Sequence, residues 1–133
     1  MTKILFVCAA NRSRSRTAER IYANHPGLEV KSAGVDFLEA QTPVSEELLQ
    51  WADVILRMEK RHQKEIENDY AACIEGKVID SLGVGRFIYS GMNEMIKEKV
   101  YNWLKINDLK ISKFENVVFV NENLTLKTEV ENE

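Results

Sequence analysis

The chain has 133 residues, which suits one domain with a single core, and its 44% hydrophobic and 29% charged content is ordinary for a soluble globular protein. The formal net charge of −3 argues against a general nucleic-acid binder. No apolar run is long enough to span a bilayer and the N-terminus lacks a signal-peptide layout, so we expect a cytoplasmic protein that does not bind membranes.

Strand and helix patterns alternate over the first 110 or so residues, which is typical of an α/β domain with a mostly parallel sheet. Short apolar runs predict the strands, and apolar residues at helical spacing predict the helices. In chain order we expect a strand at 3–7, a helix at 15–24, a strand at 28–32, a helix at 44–52, a strand at 53–58, a helix at 59–70, a strand at 77–80, a loop at 81–90 and a last helix with Met92, Met95, Ile96, Val100, Trp103 and Leu104 on its apolar face.

The α/β domain is expected to span residues 1–110, and residues 111–133 form a C-terminal extension. Within the extension, 114–120 is strand-like and 121–123 is turn-like, and apolar residues then alternate with polar ones. This pattern predicts a hairpin or an arm with a frayed acidic end.

The segment between the first strand and the first helix carries the chemistry. It places Cys8 and Arg14 six positions apart, directly after an apolar run. A loop in this setting points its backbone N–H groups at a common centre beside the positive end of the helix dipole, where an anion such as phosphate binds. Thiols at such positions ionise more easily, and an arginine can fork two oxygens of the same anion.

Four arginines crowd this loop and the helix after it: Arg12, Arg14, Arg16 and Arg20. Cations near a helix N-terminus oppose the macrodipole, so their presence suggests a bound anion that offsets the repulsion. A solvated run of arginines and serines is the alternative, but the preceding strand and the cysteine favour the anion site.

The remaining candidates for special chemistry are few. Cys8 and Cys73 are too far apart in the sequence to indicate a disulfide framework, and a reducing compartment would keep Cys8 as a thiol. His25 lies in a Pro-Gly turn and His62 in a charged helix, so neither suggests a metal ligand. We expect no metal and no cofactor.

The loop and its surroundings resemble the low-molecular-weight protein tyrosine phosphatases, whose signature is a strand running into Cys-x-x-Asn-x-x-Arg-Ser and then a helix. The resemblance covers residues 3 to about 100. It implies a three-layer αβα fold of the phosphotyrosine protein phosphatase I type, with a four-stranded parallel sheet in the order 2-1-3-4. The matching residues are Cys8, Asn11, Arg14, Ser15, Ala18, Glu19, the Ser32-Ala33-Gly34 run, Ala52 to Leu56, and Met58-Glu59.

This resemblance implies a phosphatase that forms a phosphocysteine on Cys8. Ser15 would donate a hydrogen bond to the thiolate, and Asn11 would brace the loop. Taken singly, Cys8 could be a small buried apolar residue, Asn11 a turn residue and Ser15 a helix cap, but these readings leave Arg14 unexplained. The phosphate-binding set is Ala9, Ala10, Asn11, Arg12, Ser13, Arg14 and Ser15.

Hydrolysis also needs an acid for the leaving oxygen, and Asp80 at the end of the fourth strand is the candidate. The sequence departs from the family here, because Ser81 stands where proline is usual and Tyr89-Ser90 lacks an Asp-Pro pair. Asp36 and Glu39 are weaker candidates for the acid. Phe37, in the same loop, is a candidate for the wall that stacks on a phenyl ring.

Other functions remain open. The first alternative is a phosphocysteine carrier similar to the phosphotransferase IIB components. Those components have a run like Val7 to Ala10, but their loop has no arginine at the position of Arg14. A non-catalytic oxyanion-binding module would keep the loop without the acid. Arsenate reduction is less favoured, since Cys73 is the only other thiol. The expected partners are a phosphorylated protein, a small aryl phosphate, or inorganic phosphate or another oxyanion; oligomeric state is not predicted.

Overall fold

The computed structural model describes residues 1–36, 38–85 and 91–107. The predictions for Phe37, for Tyr89-Ser90 and for the extension at 111–133 therefore lie outside the described residues. The described chain alternates four strands with four helices: β1 (Thr2–Cys8), α1 (Arg14–Tyr22), β2 (Leu28–Gly34), α2 (Glu46–Trp51), β3 (Val54–Arg57), α3 (Arg61–Ile74), β4 (Val78–Ser81) and α4 (Met92–Ile106).

The four strands form one parallel sheet in the order β2-β1-β3-β4, as the resemblance predicts. Because the strands are parallel, their C-terminal ends share one edge of the sheet, where α/β folds bind ligands. Cys8 pairs with Gly34 at this edge, and Arg57 pairs with both Val7 and Ser81. The β1–α1 loop therefore lies between the ends of β2 and β3.

Alternate residues of β1 belong to two different cores, one on each face of the sheet. Phe6 and Cys8 pack with the buried residues of α1 and α4, including Ala18 and Val100. Leu5 and Val7 face the other way and pack with α2 and α3 residues such as Leu49 and Ile66. The helices thus cover both faces, and the three-layer αβα class is confirmed.

The first three helices differ from the predicted spans, and α1 does so by two residues or fewer at each end. Helix α2 begins after Ser45, not at Val44, because the Val44 amide donates to the Gly34 carbonyl at 2.8 Å and keeps that residue beside the sheet. The Ser45 hydroxyl then caps the helix by accepting from the Leu48 amide at 3.2 Å. Helix α3 continues four residues past the predicted end at Tyr70, whose φ of −136° marks a kink inside it.

None of the helices in the described part of the chain is long and apolar enough to cross a membrane.

Candidate active site

The loop at residues 8–15 is held from outside by the segment that follows β2. The amides of Val35 and Asp36 donate to the carbonyls of Cys8 and Ala9 at 3.0 and 2.9 Å. The Gln41 amide donates to the Ala10 carbonyl at 3.1 Å. These bonds occupy the carbonyl groups of the first half of the loop and so fix which way its peptides face.

Gly34 explains the Ser-Ala-Gly run at the end of β2. A Cβ at this position would lie 2.5 Å from the Ala9 carbonyl oxygen and 2.9 Å from the Asn11 amide nitrogen. Real Cβ atoms do not approach backbone this closely, so any larger residue would displace the loop. The glycine is required by close approach of two backbones and not by its own φ angle.

The backbone amides of residues 9–13 donate no hydrogen bond to any acceptor in the described part of the chain. Five consecutive unpaired donors directly before a helix are an anion-binding arrangement, because they add to the unpaired amides of the helix N-terminus. Asn11 contributes a backbone φ of 54°, in the left-handed region that asparagine tolerates better than most residues. The loop therefore has the donors that an oxyanion needs.

Cys8 is 2% exposed and lies at the mouth of this donor set. Its sulfur is 3.0 Å from the Ser15 hydroxyl oxygen. The Asn11 side-chain amide donates to the hydroxyls of Ser15 and Ser32 at 2.8 and 2.9 Å, and the Ser32 hydroxyl donates to the Glu19 carboxylate. The cysteine is thus the end of a buried chain of polar side chains.

Arg14 is 5% exposed, and one nitrogen of its guanidinium donates hydrogen bonds to other residues of the chain. Nη1 donates to Glu59 Oε2 at 2.5 Å and to the Val84 carbonyl at 2.8 Å. Nε and Nη2 donate to no group in the described chain, and a pair of parallel N–H donors of this kind has the geometry to bind two oxygens of one anion. Glu59 and Val84 therefore orient Arg14 while its two other nitrogens stay available for a ligand.

Glu59 is the anionic partner in this arrangement. Burial raises the pKa of its carboxyl, but the hydrogen bonds from Arg14 and from Arg61, at 3.0 Å, outweigh burial and lower the pKa below its usual value. Glu59 is therefore ionised at neutral pH, and it cannot serve as a proton donor there.

The structure does not bring Asp80 to the loop. In the sheet Asp80 is paired with Leu56, which is paired with Phe6. The Asp80 backbone is therefore two strands away from β1 and level with a residue two positions before Cys8, which puts the two Cα atoms about 12 Å apart. Its carboxylate accepts from the Trp103 indole N–H at 2.7 Å and from the Ser81 amide at 2.8 Å. The Asp80 carboxylate therefore connects β4 to helix α4 and makes no hydrogen bond to the 8–15 loop, and its role as the acid stays a prediction.

The other predicted residues lie on the rim of the loop. Arg12 is exposed and its guanidinium donates to the Glu39 carbonyl at 3.0 and 3.3 Å. Asp36 is exposed, and its carboxylate accepts from the amides of Leu38 and Glu39 at 3.2 and 3.3 Å. Ser13 precedes α1 and its carbonyl accepts from the Thr17 amide at 2.7 Å. Asp36 and Glu39 are thus joined to the loop through their main chains, by the bonds of Asp36 to Ala9 and of Glu39 to Arg12.

Sequence reasoning missed the two groups that orient Arg14. Glu59 could have been found, since it follows β3 directly and the ends of neighbouring parallel strands meet at one edge. The Val84 carbonyl gives no sequence signal, because a main-chain acceptor can come from any residue. Within the described residues, no group of three or more His, Cys, Asp or Glu side chains is placed to hold a metal ion.

The chain has the fold of the low-molecular-weight protein tyrosine phosphatases. No protein-family model matches the sequence, and no curated protein matches it significantly. The evidence for the fold family therefore comes from solved structures.

Three of these structures illustrate the likeness. The low-molecular-weight protein tyrosine phosphatase SP-PTP from Streptococcus pyogenes matches with a TM-score of 0.66 and 16% identity, over 80% of this chain and 93% of that one. Vibrio vulnificus Wzb, in complex with benzylphosphonate, matches with a TM-score of 0.65 and 21% identity, over 79% of this chain and 98% of that one. The YwlE arginine phosphatase from Geobacillus stearothermophilus matches with a TM-score of 0.61 and 22% identity, over 84% of this chain and 97% of that one. At these identities the likeness establishes the fold.

Proposed function

We propose that the protein is a cysteine-dependent phosphatase that hydrolyses phosphotyrosine or small aryl phosphate monoesters through a phosphocysteine on Cys8. The observation that carries this proposal is the composition of one loop. Its amides at 9–13 have no acceptor among the described residues, the sulfur of Cys8 is buried beside Ser15, and Nε and Nη2 of Arg14 donate to no described group. Solved structures of the same fold are phosphatases, which supports the class of reaction.

In this reaction the Cys8 thiolate attacks phosphorus, the phosphorus–oxygen bond to the leaving group breaks, and the leaving oxygen takes a proton. Water then attacks the phosphocysteine, which releases inorganic phosphate and restores the thiol. The amides of 9–13 and the fork of Arg14 bind the three equatorial oxygens throughout both steps. Neither step needs a metal or another cofactor.

The position of Asp80 affects the choice of substrate. Trp103 donates a hydrogen bond to the Asp80 carboxylate, and Arg14 holds Glu59 ionised, which argues against a strong proton donor at either position. Asp36 and Glu39, whose main chains are bonded to the loop, are the remaining described candidates. We therefore expect acidic leaving groups such as nitrophenol to leave more readily than tyrosine, which depends more on an acid.

The expected partners are a phosphorylated protein, a small aryl phosphate or inorganic phosphate, in the cytoplasm and without nucleic acid or membrane. One solved structure of this fold is an arginine phosphatase, so phosphoarginine belongs in the substrate panel beside phosphotyrosine. Turnover of phosphoarginine alone would reassign the substrate and keep the phosphocysteine chemistry.

The test is hydrolysis of p-nitrophenyl phosphate by the wild type, Cys8→Ser and Arg14→Ala. We expect Cys8→Ser to abolish turnover, and Arg14→Ala to lower kcat/KM at least about 100-fold, since an anion-stabilising group is worth about that much. Arg20→Ala is the matched control, because this arginine is exposed on the same helix, and its activity should stay unchanged. Wild-type turnover no faster than that of Cys8→Ser would refute the hydrolase.

A non-catalytic oxyanion-binding module is the second candidate, and the distance of Asp80 from the loop is the observation that favours it. This module would bind phosphate or vanadate through the amides of 9–13 and Arg14 but would not turn over p-nitrophenyl phosphate. Calorimetric titration of the wild type with phosphate, beside the turnover assay, separates the two functions. In that case Arg14→Ala would weaken binding although no activity exists to lose.

A further inference from the structure

Three side chains, those of Ser32, Asn11 and Ser15, connect the carboxylate of Glu19, on α1, to the sulfur of Cys8. The Ser32 hydroxyl donates to Glu19, and the Asn11 Nδ2 atom lies 2.9 Å from the Ser32 oxygen and 2.8 Å from the Ser15 oxygen. The Ser15 oxygen is 3.0 Å from Cys8 Sγ. Asn11, Ser15 and Ser32 are 1%, 0% and 6% exposed, so water does not compete for these bonds.

The donors and acceptors of this chain can be assigned from Glu19 onward. A carboxylate only accepts, so the single hydrogen of Ser32 is directed to Glu19 and the Ser32 oxygen must accept from Asn11. The Asn11 Nδ2 group has two hydrogens, and both are used by the two serines. Because Ser15 already accepts from Asn11, its own hydrogen remains for the sulfur of Cys8.

We propose that Glu19 is a positioning residue that fixes the direction of this chain, so that the Ser15 hydroxyl donates to the Cys8 sulfur. The inference rests on the proposed function, since it concerns the same nucleophile. Hydrogen bonds donated to a thiolate favour the charged form, and a thiol S–H donating to Ser15 would favour the neutral form. Glu19 thereby favours the reactive form of Cys8 without touching it.

The alternative arrangement shows why an acceptor is needed at position 19. Without one, the Asn11 amide can turn over, and its oxygen then accepts from both serines at similar distances. The hydrogen of Ser15 would then be directed to Asn11 and would no longer reach Cys8. Asn11 alone therefore does not determine which group the Ser15 hydrogen points to, whereas Asn11 together with Glu19 does.

The charge of Glu19 and its role as a hydrogen-bond acceptor have opposite effects on how easily the Cys8 thiolate forms. The direction in which a Glu19 variant changes thiolate formation therefore tests the inference. Removing a negative charge near Cys8 makes the thiolate easier to form, whereas losing the hydrogen bond from Ser15 makes it harder to form. Glu19→Gln removes the charge but keeps an oxygen acceptor of the same reach. Glu19→Met removes the charge and the acceptor at similar side-chain length.

The experiment is the pH dependence of Cys8 alkylation by iodoacetamide, followed by mass spectrometry in a Cys73→Ser background. We expect Glu19→Met to move the pH of half-maximal rate upward by about 0.5 to 1 unit, the size expected for one hydrogen bond. Glu19→Gln should leave that pH unchanged or lower it. Ser32→Ala keeps the charge of Glu19 and breaks the chain, so it should also move the pH upward.

A Glu19→Met profile that coincides with the wild type, or that moves downward together with Glu19→Gln, would overturn the inference. In a Ser15→Ala background, Glu19→Met should have no upward effect, and a persisting upward shift there would also count against the chain. Circular dichroism confirms that each variant is folded, and Ser32→Ala gives an independent measurement if Glu19→Met does not fold. Alkylation does not require turnover, so this result stands apart from the phosphatase assay.

Discussion

Arg14 is stabilised by the charge of Glu59, 2.5 Å from Nη1, on a side chain that is 24% exposed. A bound phosphate adds a second source of negative charge next to the same guanidinium. Glu59 and the ligand are therefore partly redundant as counter-charges for a buried cation. The consequence is that Glu59 contributes more to the stability of the free protein than to that of the complex.

We predict that Glu59→Gln lowers the free energy of unfolding by about 1 to 3 kcal/mol without phosphate, because it weakens the charge-assisted bond to a buried arginine. Saturating phosphate should recover most of this loss. The measurement is urea unfolding with and without phosphate, with exposed Glu47→Gln as the control for loss of one negative charge. An equal phosphate-induced gain in wild type and Glu59→Gln would contradict the redundancy.

The 8–15 loop is shaped at the level of elements, since β2 and the segment after it form one of its walls. Gly34 sets the separation of β2 from the loop, with Ala9 and Asn11 in direct contact with the space its Cβ would fill. The carbonyls of Cys8, Ala9 and Ala10 are each bonded to the segment after β2. A change in β2 is therefore transmitted to the anion-binding amides without any change in the loop sequence.

We predict that Gly34→Ala destabilises the protein by about 1 to 3 kcal/mol, as overpacking does, and weakens phosphate binding about tenfold or more. The added methyl group meets backbone atoms, which cannot rotate away. Gly85→Ala is the matched control, because its Cβ would meet nothing within 4 Å and its φ is outside the left-handed region. The measurement is the phosphate affinity of each variant by calorimetric titration. If the affinity of Gly34→Ala equals that of the wild type, the loop does not depend on this contact.

Much of this arrangement was accessible from the sequence, because it depends on local patterns. The strand-loop-helix setting of Cys8 and Arg14 follows from apolar periodicity, whereas the sheet order was predicted only by the resemblance to the phosphatase family. Asp80 was assigned correctly to the end of a strand, but the partner it contacts there, Trp103, is 23 positions further along the chain. No local pattern gives the direction in which an exposed carboxylate turns, and this is why the contact of Asp80 with Trp103 could not be predicted.

At the scale of the whole molecule, two histidines are buried in different parts of the fold. His25 lies in the turn after α1, 8% exposed, with its ring 5.5 Å from that of Tyr22. His62 lies in the first turn of α3 and is fully buried. Burial lowers the pKa of His25 to about 4, and burial together with the charges of Arg61 and Arg14 lowers the pKa of His62 to about 4. Both are neutral in the folded protein near neutral pH.

The sign of the resulting pH dependence follows from proton counting. The unfolded chain protonates each histidine near pH 6.5, whereas the folded protein does so only near pH 4. The unfolded state therefore binds more protons as the pH falls through this window, and stability decreases by about 2 kcal/mol per histidine between pH 7.5 and 5. Carboxylates with a lowered pKa, such as Glu59, lose their contribution only at lower pH.

We predict that His25→Gln and His62→Gln each remove about half of the acid-induced loss of stability between pH 7.5 and 5, and that the double variant removes most of it. The measurement is the free energy of unfolding in urea at several pH values across this range. Each single variant serves as the other's control, because the two sites are in separate parts of the fold and their effects should add. A double variant with the pH dependence of the wild type would show that both histidines are protonated in the folded state.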